Sequence, residues 1–191
     1  MLNKSCFSLF IVLISISTNL FGQWPLRDTV ELQVRDGLPN FFNKILNGQE
    51  TKVAFVGGSV TSENAYWRPP TVQWLKNYYQ NNLVKDKNIS VPATNSKYAV
   101  FRIDEELLLN DHYDLIFLEF SINDFFPYSA DSERSVEGII QKIWKKNPKT
   151  DICIVNGVTN YFLNNIANGH MNITASIHDS IASYYGIPTI F

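Results

Sequence analysis

The stretch "VAFVGGSVTSEN", residues 53–64, carries an apolar run directly into two glycines and a serine. With Lys52 ahead of it, the segment 52–57 is short, continuous and bounded by turn residues. That pattern fits a strand buried on both faces, as strands of parallel sheets are. In open α/β sheets ligands sit at the carboxyl ends of the strands, which is where Gly57, Gly58 and Ser59 would lie. A Walker loop requires a lysine after the glycines, and Val60 follows Ser59. A dinucleotide fingerprint requires a third spaced glycine, and none occurs between Gly58 and Gly138. Two readings of the loop stay open: Ser59 or Thr61 caps a helix, or Ser59 is a nucleophile.

Outward from this strand the pattern alternates. "PPTVQWLKNYYQNNL" has Pro69 and Pro70 at a first helical turn and Val72, Leu75 and Tyr79 at helical spacing. "NISVPA" (88–93) reads as a second strand and "AVFRIDEELLLN" as a helix. "YDLIFLEFS" (113–121) is the strongest strand of the chain. "DSERSVEGIIQKIWKKN" reads as a helix capped by Asp131 or Ser132, with Val136, Ile139, Ile140 and Ile143 on one face. "DICIVNG" gives a fourth strand, and "ITASIHDSIASYY" a final helix closed by Gly186 and Pro188. The expected fold is α/β, a flavodoxin-like three-layer αβα sandwich with a parallel sheet in the order 2-1-3-4-5. At "PTIF" a fifth strand is only beginning, so the sheet is expected to be truncated there with an uncovered edge.

The chain has 191 residues, enough for one core, with 16 basic and 18 acidic residues and no long run of either sign. Nothing in that balance fits nucleic acid or an anionic membrane surface, and a small neutral substrate fits better. Residues 1–22, with Lys4 ahead of the run Phe7–Leu20, read as a secretory signal peptide, or as an uncleaved anchor given Leu20 near the cleavage point. The division expected is therefore signal 1–22, a polar lead-in 23–50 and a domain 51–191, secreted or periplasmic. Cys153 alone follows the signal, so no internal disulfide is available. Asn88 and Asn172 head sequons that matter only where exported proteins are glycosylated.

"EFSIND" (119–124) ends the strongest strand, and in the order 2-1-3-4-5 it lies beside Ser59. A serine hydroxyl beside a backbone N–H and a side-chain amide is an arrangement for acyl transfer; Asn123-Asp124 can also be a self-satisfied turn. With both loops in view the chain resembles the SGNH, or GDSL-type, esterases and lipases. "GGSVTSENAYWRP" resembles the family's first block, with Ser59 at the nucleophile and Gly58 replacing the usual aspartate. "FLEFSIND" resembles the third block, with Asn123 at the oxyanion asparagine. "ATNSKYAVFR" and "SVEGIIQKIWKKNPKTDI" resemble connecting segments of a branch associated with carbohydrate esters. The glycine of the second block is replaced by the segment Ala93-Thr94-Asn95-Ser96, whose backbone N–H groups survive and whose asparagine tolerates a left-handed backbone. The resemblance implies substrate contacts at Gly58, Asn95 and Asp124, and neither metal nor cofactor.

The resemblance also implies a final Asp-x-x-His, and the chain contains none. His112 precedes a strand at the far end of the sheet, and His178 sits on the last helix with Asp179 turned away from it. His170, in the loop after the fourth strand, is the one stand-in base. The reading is an SGNH-type serine esterase for carbohydrate or other small acyl esters, weak or inactive in this form. The alternative is a non-catalytic glycan- or acyl-binding module, for which Tyr66, Trp67, Phe125, Phe126 and Tyr128 would supply stacking surfaces, unless they are core anchors. Arg68 and Arg102 read as sugar or carboxylate contacts or as surface ion pairs. Glu119 would sit buried below the site.

Overall fold

The computed structural model describes residues 25–64, 66–109, 111–125 and 129–191, with the side chains of 129 and 130 left aside. The signal segment, Phe126 and Tyr128 lie outside these residues. In chain order the elements are β1 (Leu32–Gln33), α1 (Pro39–Leu46), β2 (Thr51–Gly57), α2 (Ser59–Ser62), α3 (Arg68–Tyr78), β3 (Val84–Asn88) and α4 (Ser96–Ile103). They continue with β4 (Leu115–Glu119), α5 (Ser129–Lys146), β5 (Asp151–Val155), α6 (Leu163–Ala167), α7 (Ile173–Tyr185) and β6 (Thr189–Ile190). A π-helical turn, Asp104–Leu108, extends α4.

The sheet runs β1-β6-β5-β4-β2-β3. Its five strands from β2 to β6 are parallel, in the expected 2-1-3-4-5 order. Alternation along each strand feeds two cores. Ala54, Val56, Ile116, Leu118, Ile152 and Ile154 face Ile103 of α4, Ile139, Ile140 and Ile143 of α5, and Ile177 of α7. On the other face Val53, Phe55, Leu115, Phe117 and Cys153 meet Phe41 and Ile45 of α1 and Val72 and Leu75 of α3. Phe55 and Phe117 stack across neighbouring strands at 5.2 Å, and Trp67 packs edge-on against both. Burial pushes the Cys153 thiol up to about 12, so it stays an inert core thiol.

Three expectations are corrected. The second strand is Val84–Asn88, upstream of "NISVPA": an edge strand whose central side chains are exposed Lys85, Asp86 and Lys87 has no apolar run to betray it. The backbone beyond it still follows β2, since Ile89 N–H bonds Phe55 O and Val91 N–H bonds Gly57 O. The helix α5 begins at Ser129, which places Asp131 and Ser132 inside its first turn; Asp131 pairs with Lys97, and Ser132 turns into the core. The edge beyond β6 is covered, because β1 pairs antiparallel with it, Leu32 opposite Ile190.

The lead-in is therefore built into the same sheet. Arg27 and Arg35 both reach the buried Asp179 carboxylate at 2.6 Å. Arg35 also donates to Ile187 O and Thr189 Oγ1, and Thr189 donates to Asp179. Asn172 caps α7 through Ala175 N–H and is itself buried, so this sequon asparagine is closed off once the chain folds. Among the described residues no helix is long and apolar enough to cross a membrane. Asp179→Ala is expected to lower stability in urea denaturation by about 3 kcal/mol, because it strands Arg35 against the sheet. Lys97→Ala, at an exposed pair, should leave the midpoint unmoved.

Candidate active site

Gly57 and Glu119 are register partners at the carboxyl ends of β2 and β4, so the loops that follow, 58–62 and 120–125, stand side by side. Both glycines are required by space. A Cβ on Gly57 would lie 2.7 Å from Glu119 O and 2.7 Å from Thr61 Oγ1; one on Gly58 would lie 2.0 Å from Asn123 Oδ1. The Asn123 carboxamide thus rests directly over the Gly58 backbone, where the resemblance would have put an aspartate side chain.

Ser59 is the first residue of α2, after Gly58 at the N-cap, and no side chain caps that turn. Neither Ser59 nor Thr61 is thus a helix cap: Thr61 Oγ1 donates to Glu119 Oε2 at 3.0 Å, and Ser62 Oγ donates to Ser59 O. Among the described residues the half-buried Ser59 hydroxyl makes no hydrogen bond, and neither end of the Asn123 carboxamide does. Unsatisfied buried polar atoms collect at this end of the sheet, with Glu119 Oε1, Asn123 Oδ1 and both ends of Asn156 without partners. Such groups are rare in folded interiors and mark places where something other than packing is selected.

A cleft of about 430 Å³ opens against Asn123, bounded by Ala93, Thr94, Asn95, Tyr98 and Ile122. Ala93, with φ +59, takes the left-handed conformation in this segment. Asn95 is extended instead, and its side chain accepts Tyr98 N–H as the cap of α4. A larger cleft, about 740 Å³, lies around Lys44, Asp111 and His112 at the opposite end of the sheet from Ser59.

Asp124 does not face the cleft. It is buried, its Oδ1 accepting Ser96 N–H at 2.8 Å and its Oδ2 meeting Ser132 Oγ at 2.8 Å and His178 Nε2 at 3.0 Å. Burial opposes its ionisation, but the hydrogen bond and charge of His178 with the Ser96 N–H outweigh it and hold Asp124 below the usual carboxylate range. Ser132, His178 and Asp124 are the residue types of a catalytic triad in the wrong geometry. One nitrogen, Nε2, touches both partners, Ser132 Oγ at 2.8 Å and Asp124, and all three are buried. Asp179 turns away from His178 toward Arg27 and Arg35, as the helical spacing requires.

His170 joins Asp28 of the lead-in through an isolated antiparallel bridge, with Nδ1 3.3 Å from Asp28 Oδ1. Among the described residues no imidazole is within hydrogen-bonding distance of Ser59. The structure brings together Ser59, Gly58, Asn123 and the Asn95 loop, and directs Asp124, His170 and His178 elsewhere. Trp67 is a core anchor, and Phe125 packs edge-on against Phe162, while Tyr66 is exposed. Arg68 pairs with Asp86, and Arg102 with Glu106 while lying over the Tyr98 ring.

Glu119 is fully buried and pushed up to about 7, first by burial, against the Thr61 hydrogen bond, the His178 charge and the Gly58 N–H that lower it. A carboxylate inside an otherwise apolar strand was its sequence signal. The link from Asp124 to His178 had none, being a contact across 54 residues.

No protein-family model matches the sequence, and no curated protein matches it. Solved structures do. A two-domain esterase (CEX) active on acetylated mannans superposes with a TM-score of 0.62 at 24% identity over 80% of this chain. The match covers 40% of that chain, so the present sequence spans about two fifths of its length. AlinE4, an SGNH-hydrolase family esterase, gives a TM-score of 0.59 at 15% identity, covering 74% of this chain and 75% of its own. The lipase/acylhydrolase from Enterococcus faecalis gives 0.58 at 14%, with the same coverage. The chain has the SGNH-hydrolase fold.

Two outcomes follow from this geometry. Gly58→Ala should cost about 1–3 kcal/mol in urea denaturation and shift the Asn123 side-chain amide resonances in a ¹⁵N correlation spectrum, because the new methyl displaces the carboxamide. For Glu119 the folded value, near 7, lies above the ordinary 4.5. The folded state therefore holds a proton that the unfolded chain releases, and stability from this group falls as pH rises from 4.5 to 7. Glu119→Gln should remove that fall, so that between pH 4.5 and 8 the variant gains roughly 3 kcal/mol on the parent in paired denaturation curves.

Proposed function

We propose that this chain carries the nucleophile and oxyanion half of an SGNH-type serine esterase acting on carbohydrate or other small acyl esters. The observation that carries the reading is the unengaged hydroxyl of Ser59, next in the chain after the Gly58 on which the Asn123 carboxamide is seated, at the carboxyl ends of adjacent parallel strands. In this reading Ser59 Oγ attacks the ester carbonyl carbon, and Asn123 Nδ2 with the Ser59 N–H donates to the oxygen that becomes negative. Collapse of the tetrahedral intermediate expels the alcohol and leaves an acyl-serine, which water then cleaves. Gly58 makes room for the Asn123 carboxamide, and the 430 Å³ cleft beside Asn95 is large enough for a small acyl or sugar group. The activity of the two-domain esterase on acetylated mannans supports acetylated carbohydrate as the substrate class. Export through the segment 1–22 belongs to the same proposal.

Proton removal from Ser59 needs a general base, and none among the described residues reaches it. Hydrolysis by these 191 residues is accordingly expected to stay within about 10³ to 10⁴ of the uncatalysed rate, the level that binding and oxyanion stabilisation supply without a triad. That same observation favours the second reading, a module that holds an acyl or glycan group without cleaving it. Release of p-nitrophenol from its acetate decides between them. Slow turnover lost in Ser59→Ala and unchanged in His170→Ala is the expected result. Turnover equal to the Ser59→Ala control means a binding module, and rapid turnover lost in His170→Ala would make that histidine the base and overturn the assignment.

A further inference from the structure

The outward face of α3 departs from what a surface helix ordinarily carries. Val72, Leu75 and Tyr79 turn toward the sheet, leaving Gln73, Trp74, Asn77 and Tyr78 exposed on the opposite side. Two aromatic rings and two carboxamides occupy positions where charged side chains are the rule. Trp74 is 53% exposed and Tyr78 66%. Their rings stack at 4.9 Å, and Tyr79 braces both edge-on from below. Tyr79 is tied in turn to Phe42 of α1, and Phe42 to the core residue Phe41. The exposed rings are thus fixed before any partner arrives, which removes much of the side-chain entropy that binding would otherwise cost. Each stays more than half exposed.

The carboxamides are fixed as well. Gln73 Nε2 donates to Asn77 Oδ1 at 2.8 Å, leaving Gln73 Oε1 as an acceptor and Asn77 Nδ2 as a donor beside the rings. Apolar ring faces flanked by one neutral donor and one neutral acceptor match a sugar, whose C–H face lies on a ring while its hydroxyls bond outward. The lack of charge on this face argues against a phosphate backbone or an anionic bilayer. A second copy fits poorly too. Two half-exposed aromatic side chains offer roughly 250 Å², against about 800 Å² on each partner of a stable dimer.

We infer that α3 bears a binding platform for a neutral glycan, with Trp74 and Tyr78 stacking on sugar rings and the Gln73–Asn77 pair bonding their hydroxyls. The platform is separate from Ser59 and goes beyond ester hydrolysis, so it is tested in the Ser59→Ala protein, where failure of the esterase reading has no effect. Native gels containing soluble glucomannan, arabinoxylan or mixed-linkage β-glucan are the assay. At least one polysaccharide should retard the protein, and about 0.5 M NaCl should not release it, because no ion pair is involved. Trp74→Ala combined with Tyr78→Ala should weaken the retardation about tenfold, the scale of a lost stacking contact, with an unchanged circular dichroism spectrum. Mobility unaffected by all three polymers, or retardation that survives the double variant, overturns the assignment. A dimer in sedimentation equilibrium that the double variant dissolves would give the face to a second copy instead.

Discussion

One buried carboxylate holds the loop that carries Asn123. Asp124 collects the first N–H of α4 from Ser96, the hydroxyl of Ser132 on α5 and the imidazole of His178 on α7. Three helices on one face of the sheet are thereby bound to the turn that follows β4. A buried charge is tolerated only when its hydrogen-bonding capacity is filled, and here both oxygens are occupied. Because Asp124 points inward, its neighbour Asn123 is left projecting toward β2, where it lands on Gly58. The position of the amide follows from the burial of the acid beside it.

That placement sets the character of the nucleophile loop. Gly58 has φ −91, a value open to any residue, so its lack of a side chain serves volume and not backbone freedom. The aspartate expected there by resemblance would occupy the space that the carboxamide fills. The residue at 58 and the pose of Asn123 are one structural choice. Below them Glu119 accepts the Thr61 hydroxyl, so the turn around Ser59 is held from beneath by a carboxyl group and pressed from above by an amide.

The parts of this arrangement legible in the sequence are those with a local period. Continuous apolar runs located β2, β4 and β5, alternation with helices implied their parallel order, and the two glycines ahead of Ser59 marked the loop. What escaped was non-local or lay at an edge. β3 carries Lys-Asp-Lys through its centre and looks like a loop, and β1 is two residues of a polar lead-in whose partner lies more than 150 residues away. Ser132 reads as a helix cap because serine near a helix start usually is one. Its bond to Asp124 depends on how α5 docks, which no periodicity encodes. The same holds for Asp124 itself, read by resemblance as a substrate contact and placed in the core by partners from three other elements.

Sheet order also explains why nucleophile and oxyanion donor come together. β2 and β4 are neighbours, so Ser59 and Asn123 meet without any long excursion of the chain. By resemblance the acid and base belong after the fifth parallel strand, which is β6 here, and β6 lies three strand positions from β2 in the order β2-β4-β5-β6. At about 4.8 Å per strand that is roughly 14 Å across the sheet. No strand end at β6 can place an imidazole on Ser59 across that distance. A base delivered from there has to ride on a loop that crosses back over the ends of β5 and β4. The unpartnered carboxamide of Asn156, after β5, and Glu119 Oε1, at the end of β4, lie buried beneath that end of the sheet.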